Sequence, residues 1–136
     1  MARPLKGQCL CGGVRFEVDR RDLEQACACH CGQCRQFAGN YWTSFNAPLD
    51  GLTFTAGEDL IAWYRSSKTA RRGFCRTCGA SLFYNADGLQ DRKHRISIAL
   101  GAMERPTGLR LSEHIFVKDK GDYYDIADGL LQLDEE

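Results

Sequence analysis

The fold class read from this chain is mainly β: antiparallel sheets packed as a sandwich or folded like a tent, with at most one or two short helices. Three observations predict it. Short runs rich in β-branched and aromatic residues recur along the chain, the clearest alternating apolar and polar side chains with the two-residue period of a half-buried strand. Turn-forming clusters of Gly, Asp and Pro separate those runs. A length of 136 residues fits one domain, taken here as 1–136, and leaves no room for two independent cores.

The elements follow in order. Val14, Phe16 and Val18 alternate with Arg15 and Glu17, as a strand with one buried face requires. Further strands are predicted over Tyr41 to Ala47, Leu52 to Ala56, Leu60 to Arg65, Ser81 to Tyr84 and Arg95 to Leu100. Pro48-Leu49-Asp50-Gly51, Ala56-Gly57-Glu58-Asp59 and Ala86-Asp87-Gly88 supply the turns between them. One short helix is predicted over Cys31 to Ala38, ended by Gly39-Asn40. His114 opens an apolar β run, Ile115-Phe116-Val117, and Asp134-Glu135-Glu136 reads as a solvated end.

Composition excludes several classes. Eighteen Lys and Arg balance eighteen Asp and Glu, which argues against an electrostatic footprint for nucleic acid or anionic lipid. Seven Phe, five Tyr and two Trp exclude wholesale disorder. No apolar run approaches the ~18 residues of a membrane span, and no signal-peptide core opens the chain. A soluble protein of the reducing cytoplasm is expected.

The eight cysteines are the informative part. They fall in three clusters: Cys9 and Cys11; Cys27, Cys29, Cys31 and Cys34; Cys75 and Cys78. In a reducing compartment such clusters bind metal more often than they form disulfides. Tetrahedral zinc, with Zn–S near ~2.3 Å, places neighbouring sulfurs roughly 3.8 Å apart. Cys75-Arg76-Thr77-Cys78-Gly79 suits that separation through a tight turn, with Gly79 free to take a positive φ. In Cys9-Leu10-Cys11-Gly12-Gly13, residues two apart on an extended strand face the same side before the glycines turn the chain away. The two pairs together make a closed four-thiolate site, whose default role is structural.

The middle cluster, Cys27-Ala28-Cys29-His30-Cys31-Gly32-Gln33-Cys34-Arg35, offers four thiols and an imidazole. If Cys27 joins the other three thiols, a second zinc is closed and structural; if three bind, a fourth position is open, as catalytic zinc requires. Spacing alone favours the closed site.

Gln8-Cys9-Leu10-Cys11-Gly12-Gly13-Val14, then Cys29-His30-Cys31-Gly32-Gln33-Cys34-Arg35, then Phe74-Cys75-Arg76-Thr77-Cys78-Gly79, resembles the glutathione-dependent formaldehyde-activating enzyme family, grouped with centromere protein V. His114-Ile115-Phe116-Val117 and Asp128-Gly129-Leu130 look like that family's ending, so the resemblance covers nearly the whole chain. It implies an Mss4-like β fold. It puts a structural zinc on Cys9, Cys11, Cys75 and Cys78, and a second, three-thiolate zinc associated with catalysis on Cys29, Cys31 and Cys34. Cys27 is an extra thiol beside that pattern, and Leu131 stands where many members have proline.

The implied chemistry is that of a carbon–sulfur lyase running in the synthetic direction, S-hydroxymethylglutathione synthase-like. A glutathione-like thiol, made a thiolate by zinc, adds to a small aldehyde. The implied partners are a small thiol and an aldehyde, not nucleic acid or membrane. Seven thiolates (−7) with two Zn²⁺ (+4) lower the formal net charge from 0 to about −3, which further disfavours nucleic acid. Two other readings use the same residues: a non-catalytic zinc module that binds a protein, and a redox switch among the middle cysteines.

The remaining candidates are read conservatively. Arg35, Arg71, Arg72 and Arg76 lie near the clusters and would offset thiolate charge or hold a carboxylate, although each is read first as a solvated or structural Arg. The basic run from Arg65 to Arg76 reads as a solvated strand edge. His30, between two proposed ligands, is expected behind the metal shell or in solvent, and His114 as a hydrogen-bonded structural residue. His94 reads as a surface turn residue, and Phe37, Tyr41 and Trp42 as core aromatics or the wall of a pocket.

Overall fold

A computed structural model describes residues 3–136, the side chain of residue 25 apart. Among those residues it holds eleven strands and one α-helix, in two sheets. The strands are β1 (Leu5–Gln8), β2 (Arg15–Val18), β3 (Glu24–Cys29), β4 (Trp42–Pro48), β5 (Leu52–Ala56) and β6 (Ile61–Arg65). They continue with β7 (Arg71–Cys75), β8 (Ser81–Asn85), β9 (Arg95–Ala99), β10 (Leu111–Ile115) and β11 (Leu131–Gln132), and the helix is α1 (Gly32–Ala38). The small sheet runs β1-β2-β5 and the large one β11-β10-β3-β4-β9-β8-β7-β6. Pairing is antiparallel as expected except at one side, where β10 lies parallel to both β3 and β11.

The core fills the space between the sheets. Phe16 of β2 meets Phe83 of β8 at 5.2 Å between ring centroids and Phe54 of β5 at 6.2 Å. Edge-on contacts of this kind add to the area that each ring buries. The pleat then separates two environments: Phe45 and Ala47 of β4 enter the core, whereas Trp42, Ser44 and Asn46 of the same strand face a groove on the outer side. The functional residues stand on that outer face.

Four strands, β1, β3, β7 and β11, escaped the sequence reading, and the β run expected from His114 to Val117 is displaced: β10 ends at Ile115, Phe116 takes a φ of 55° and Val117–Asp119 form a 3-10 turn. In β3 the buried positions are Ala and Cys, Ala26, Ala28 and Cys29, small side chains without the bulk that marks a strand. β7 opens with Arg71-Arg72-Gly73, which masks a strand buried at Arg72, Gly73 and Cys75. The run from Arg65 to Arg76 is a solvated edge only in part: β6 is the outer strand and Arg65 and Lys68 are exposed, but β7 lies between β6 and β8 and Arg72 is 5% exposed. Asp134, Glu135 and Glu136 are exposed as expected, although the backbone leading to them is tied down. Leu133 N–H donates to His114 O at 2.9 Å, Val117 N–H to Leu133 O at 3.0 Å and Phe116 N–H to Glu135 O at 3.2 Å.

No helix among the described residues is long and apolar enough to cross a membrane.

Candidate functional site

Seven of the eight cysteines gather into two groups, whose sulfurs lie within 4.8 Å of one another in each. All eight are free thiols. Sulfur–sulfur distances of 3.5 Å between Cys9 and Cys11, and 3.9 Å between Cys11 and Cys75, are far beyond a disulfide bond. They match the edge of a tetrahedral thiolate metal site.

The first group, Cys9, Cys11, Cys75 and Cys78, is built from two tight turns. Cys75 ends β7, and Gly79, at φ 78°, donates its N–H to Cys75 O at 2.7 Å, closing the turn that brings Cys78 back. The Ala80 N–H, ahead of its other partners, holds the Cys78 thiol down at about 6, so it offers a thiolate readily. Cys9 and Cys11 do not sit on an extended strand as expected. The chain turns after β1, with Gly12 N–H donating to Cys9 O at 3.1 Å, which throws Leu10 out to 84% exposure and brings the buried Cys9 sulfur to 3.5 Å from that of the exposed Cys11. One turn leaves the small sheet and the other the large one, so a metal here staples the sheets together.

The second group, Cys29, Cys31 and Cys34, is local. Cys29 ends β3, Cys31 caps α1 by accepting from Cys34 N–H at 3.3 Å, and Cys34 stands buried in the first helical turn. The helix stops where expected, as Gly39 takes the left-handed conformation and its N–H returns to Arg35 O at 2.8 Å. Hydrogen bonds from the Cys29 thiol, then from Cys34, pull the Cys31 thiol far down, and those with Cys31, then with Cys34, push the Cys29 thiol up. Cys31 is thus the first of the three to ionise.

Arg72 is the counterion. Its Nη1 donates to Cys34 Sγ at 3.6 Å and its Nη2 to Gln33 Oε1 at 3.4 Å. The guanidinium carbon lies 4.9 Å from the Tyr84 ring centre and 5.3 Å from that of Phe37. Arg72 Nε has no partner, the one buried side-chain nitrogen or oxygen in that condition among the described residues. A three-thiolate site holding a divalent ion carries a residual −1, which one buried guanidinium neutralises. The other candidate arginines turn elsewhere: Arg35 to Asp119 O, Arg71 to Asn85 and Asp87, and Arg76 to solvent.

The group opens on a groove of about 910 Å³ bordered by Trp42, Ser44, Tyr84 and Phe116, with Glu136 of the tail at its rim. Cys27 borders this groove but stands outside both metal-ligating groups. Burial, then the field of Glu113, pushes its thiol up to about 11, so it remains protonated. A larger groove of about 1280 Å³, bordered by Phe37, Tyr41 and the other side of Trp42, reaches Cys9 but none of the three local thiols. The smaller groove is therefore the chemical one, and Trp42 divides the two.

His30 is neither behind the metal shell nor in solvent. It is fully buried in a chain of hydrogen bonds: Tyr124 Oη to His30 Nδ1 at 2.7 Å, His30 Nε2 to His114 Nδ1 at 2.9 Å, and His114 Nε2 to Asp128 Oδ2 at 2.7 Å. Gly121 N–H donates to Tyr124 Oη at 3.1 Å, leaving the phenol hydrogen for His30 Nδ1. With its single proton on Nε2, His30 then donates to His114, and His114 Nε2–H to the Asp128 carboxylate; this assignment satisfies every group. Burial, then the charge of His114, holds His30 down at about 4, so it is neutral near pH 7. The Leu130 N–H, and then His114, hold the Asp128 carboxyl below its usual range. His114 is hydrogen-bonded and buried as expected, and His94 is an exposed turn residue. Sequence reasoning missed Tyr124, which no local motif marks, and had Asp128 only as part of the family-like ending Asp128-Gly129-Leu130, without a role.

The family model described as "Glutathione-dependent formaldehyde-activating enzyme" matches residues 4–119. A Schizosaccharomyces pombe protein described as an uncharacterized lyase is 24% identical over 132 residues, which is 96% of this chain and 92% of that protein. A crystal structure of a Rhodobacter sphaeroides protein superposes with a TM-score of 0.57 at 22% identity, over 94% of this chain and 98% of that one, a likeness of fold. With both cysteine groups assembled and the model spanning most of the residues, the chain belongs to the glutathione-dependent formaldehyde-activating enzyme family.

Proposed function

We propose that the protein joins a low-molecular-weight thiol to a small aldehyde, as a zinc-dependent carbon–sulfur lyase acting in the synthetic direction in the cytoplasm. One observation carries this reading: three cysteines converge on one point beside a groove, while Cys27, which would close the shell, stands apart. Cys29, Cys31 and Cys34 would hold a zinc, which would supply Lewis acidity to favour a thiolate or polarise a carbonyl. The all-thiolate donor set and the sulfur spacing of the first group fit zinc at both sites.

The reaction balances without a redox partner. The thiol sulfur bonds to the carbonyl carbon, the carbonyl π pair moves to oxygen, and the thiol proton ends on that oxygen. Arg72 neutralises the thiolate charge and fixes Cys34 from behind. Trp42 and Phe116 exclude water from one side of the groove, and Ser44 on β4 offers a hydroxyl there. The chain of His30, His114, Tyr124 and Asp128 holds the backbone between Cys29 and Cys31 by pinning its one intervening side chain. The partners in this reading are small molecules, with no part for nucleic acid or membrane.

The test counts zinc on untagged protein before and after millimolar glutathione, with Cys27→Ala alongside, and follows formaldehyde adduct formation by NMR. We expect two zincs per chain, the same in Cys27→Ala, one of them exchangeable with thiol, and adduct formation above the uncatalysed rate. Two inert zincs in the wild type, one made labile only by Cys27→Ala, would mean a closed shell and end the lyase reading.

A further inference from the structure

The groove beside Cys29, Cys31 and Cys34 is polarised along its length. Arg72, 5% exposed and with Nε unpartnered, lies at its inner end. Along the wall, Glu24 Oε1 accepts from Arg92 at 2.9 Å and lies 3.1 Å from Arg95. Arg95 is spent further on Asn46 and on Asp22 O, and Arg92 lies in the fields of Glu136 and then Asp91, so the two arginines offset two of the wall's carboxylates. Arg72 in turn offsets the residual −1 of three thiolates holding a divalent ion. What remains is Glu113, half-buried, and Glu136, exposed at the rim; neither makes an ion pair among the described residues.

Glu113 pairs in register with Cys27, two residues before Cys29 along β3. Two residues of extended strand advance ~6.6 Å, which a two-carbon spacer between sulfur and a cationic nitrogen, plus one ion-pair contact, spans. Glutathione brings two carboxylates and one ammonium to a rim that already carries two carboxylates. Like charges meeting there select against it, as misplaced charge does at any interface.

Resting on the thiol–aldehyde reading of this groove, we propose that the thiol it selects is small, carries a positive charge and lacks a free carboxylate, with Glu113 and Glu136 as its specificity-determining residues. The carbon–sulfur bond forms as in the proposed reaction, the sulfur at the inner end and the cation at the rim.

The test uses zinc-loaded protein and four thiols: thiocholine (cationic, unable to cyclise with an aldehyde), 2-mercaptoethanol, 3-mercaptopropionate and glutathione. Binding is measured by calorimetry without aldehyde, and adduct formation with formaldehyde by NMR above the uncatalysed rate. Thiocholine should bind at least about 10-fold more tightly than 3-mercaptopropionate or glutathione, with 2-mercaptoethanol between. Raising the salt to ~0.5 M should compress that spread, because the carboxylates at the rim are screened. The double variant Glu113→Gln, Glu136→Gln should bring all four to within about 3-fold, which a structural role for either residue would not do. Glutathione binding as tightly as thiocholine in the wild type overturns the inference, whatever the turnover. Charge-ranked binding without any accelerated adduct sinks the lyase reading and leaves the charge selection standing. No binding of any thiol sinks both.

Discussion

The two cysteine groups use the same ligand type to opposite ends. The first joins residues 64 positions apart in sequence at Cys11 and Cys75, and so bridges the two sheets. The second takes all its sulfurs from six consecutive residues, and its surroundings are built from distant ones: Arg72, Trp42, Tyr84 and the tail. Four ligands in tight turns would close a site around a metal and convert its binding into folding energy. Three ligands behind a buried cation leave room for chemistry. Ligand number and enclosure, not the presence of thiolates, separate the two.

Substituting one ligand in each group breaks the comparison most sharply. Cys75→Ser should remove one metal and most of the native stability, since structural zinc sites contribute on the order of 10 kcal/mol to folding. Cys34→Ser should also remove one metal but leave a cooperative melt, with the loss confined to thiol-dependent activity. Metal content and thermal melts on both variants decide it; equal destabilisation would erase the proposed division of labour.

Arg72→Met probes the second group alone. Removing the buried counterion should weaken metal there by about 10- to 100-fold in a chelator competition, as loss of groups supporting metal ligands does elsewhere. The first group should be untouched, and Arg72→Lys should recover part of the loss by restoring charge without the planar fork.

The histidine chain gives smaller effects. Tyr124→Phe leaves His30 Nδ1 and the Gly121 N–H without their shared partner, at a cost of about 1–3 kcal/mol. His30 also predicts a pH dependence. Its folded value, about 4, lies below the ordinary one near 6.5, so between these values the unfolded chain binds the extra proton. Stability therefore rises with pH across that window and falls on acidification. The slope should be shallower in His30→Gln, read as a difference from wild type so that the thiolates common to both cancel. Equal slopes would mean that His30 is protonated in the fold.

Cys27→Ala should do least. Two metals per chain and a melting temperature within a few degrees of wild type are expected, because Cys27 belongs to neither group. Loss of a metal would restore the closed four-thiolate site that spacing alone favours.

Local pattern and tertiary context divide the molecule between them. Alternation and turn residues mark β2, β5 and β9, and Gly39 marks the end of α1, because these depend on backbone preferences carried by adjacent residues. The cysteine spacings mark the ligands of the first group, since a chelate turn is a local object, but in the second they favour a closed site with Cys27, and only the family resemblance points to the three thiols. β3 and β7 are obscure for the converse reason. Small Ala and Cys side chains and paired arginines become strand residues only once β4 and β10 cover one, and β6 and β8 the other.

The sequence by itself thus determined a mainly β fold, the family it resembles and eight thiols in three clusters from which metal ligands could come. Only the tertiary structure decided that Cys27 stays out of the shell, that Arg72 is buried against Cys34, and that His30 is held by Tyr124 and His114. Each of those outcomes depends on which strands lie side by side, and sheet order is set by packing between residues far apart in the chain.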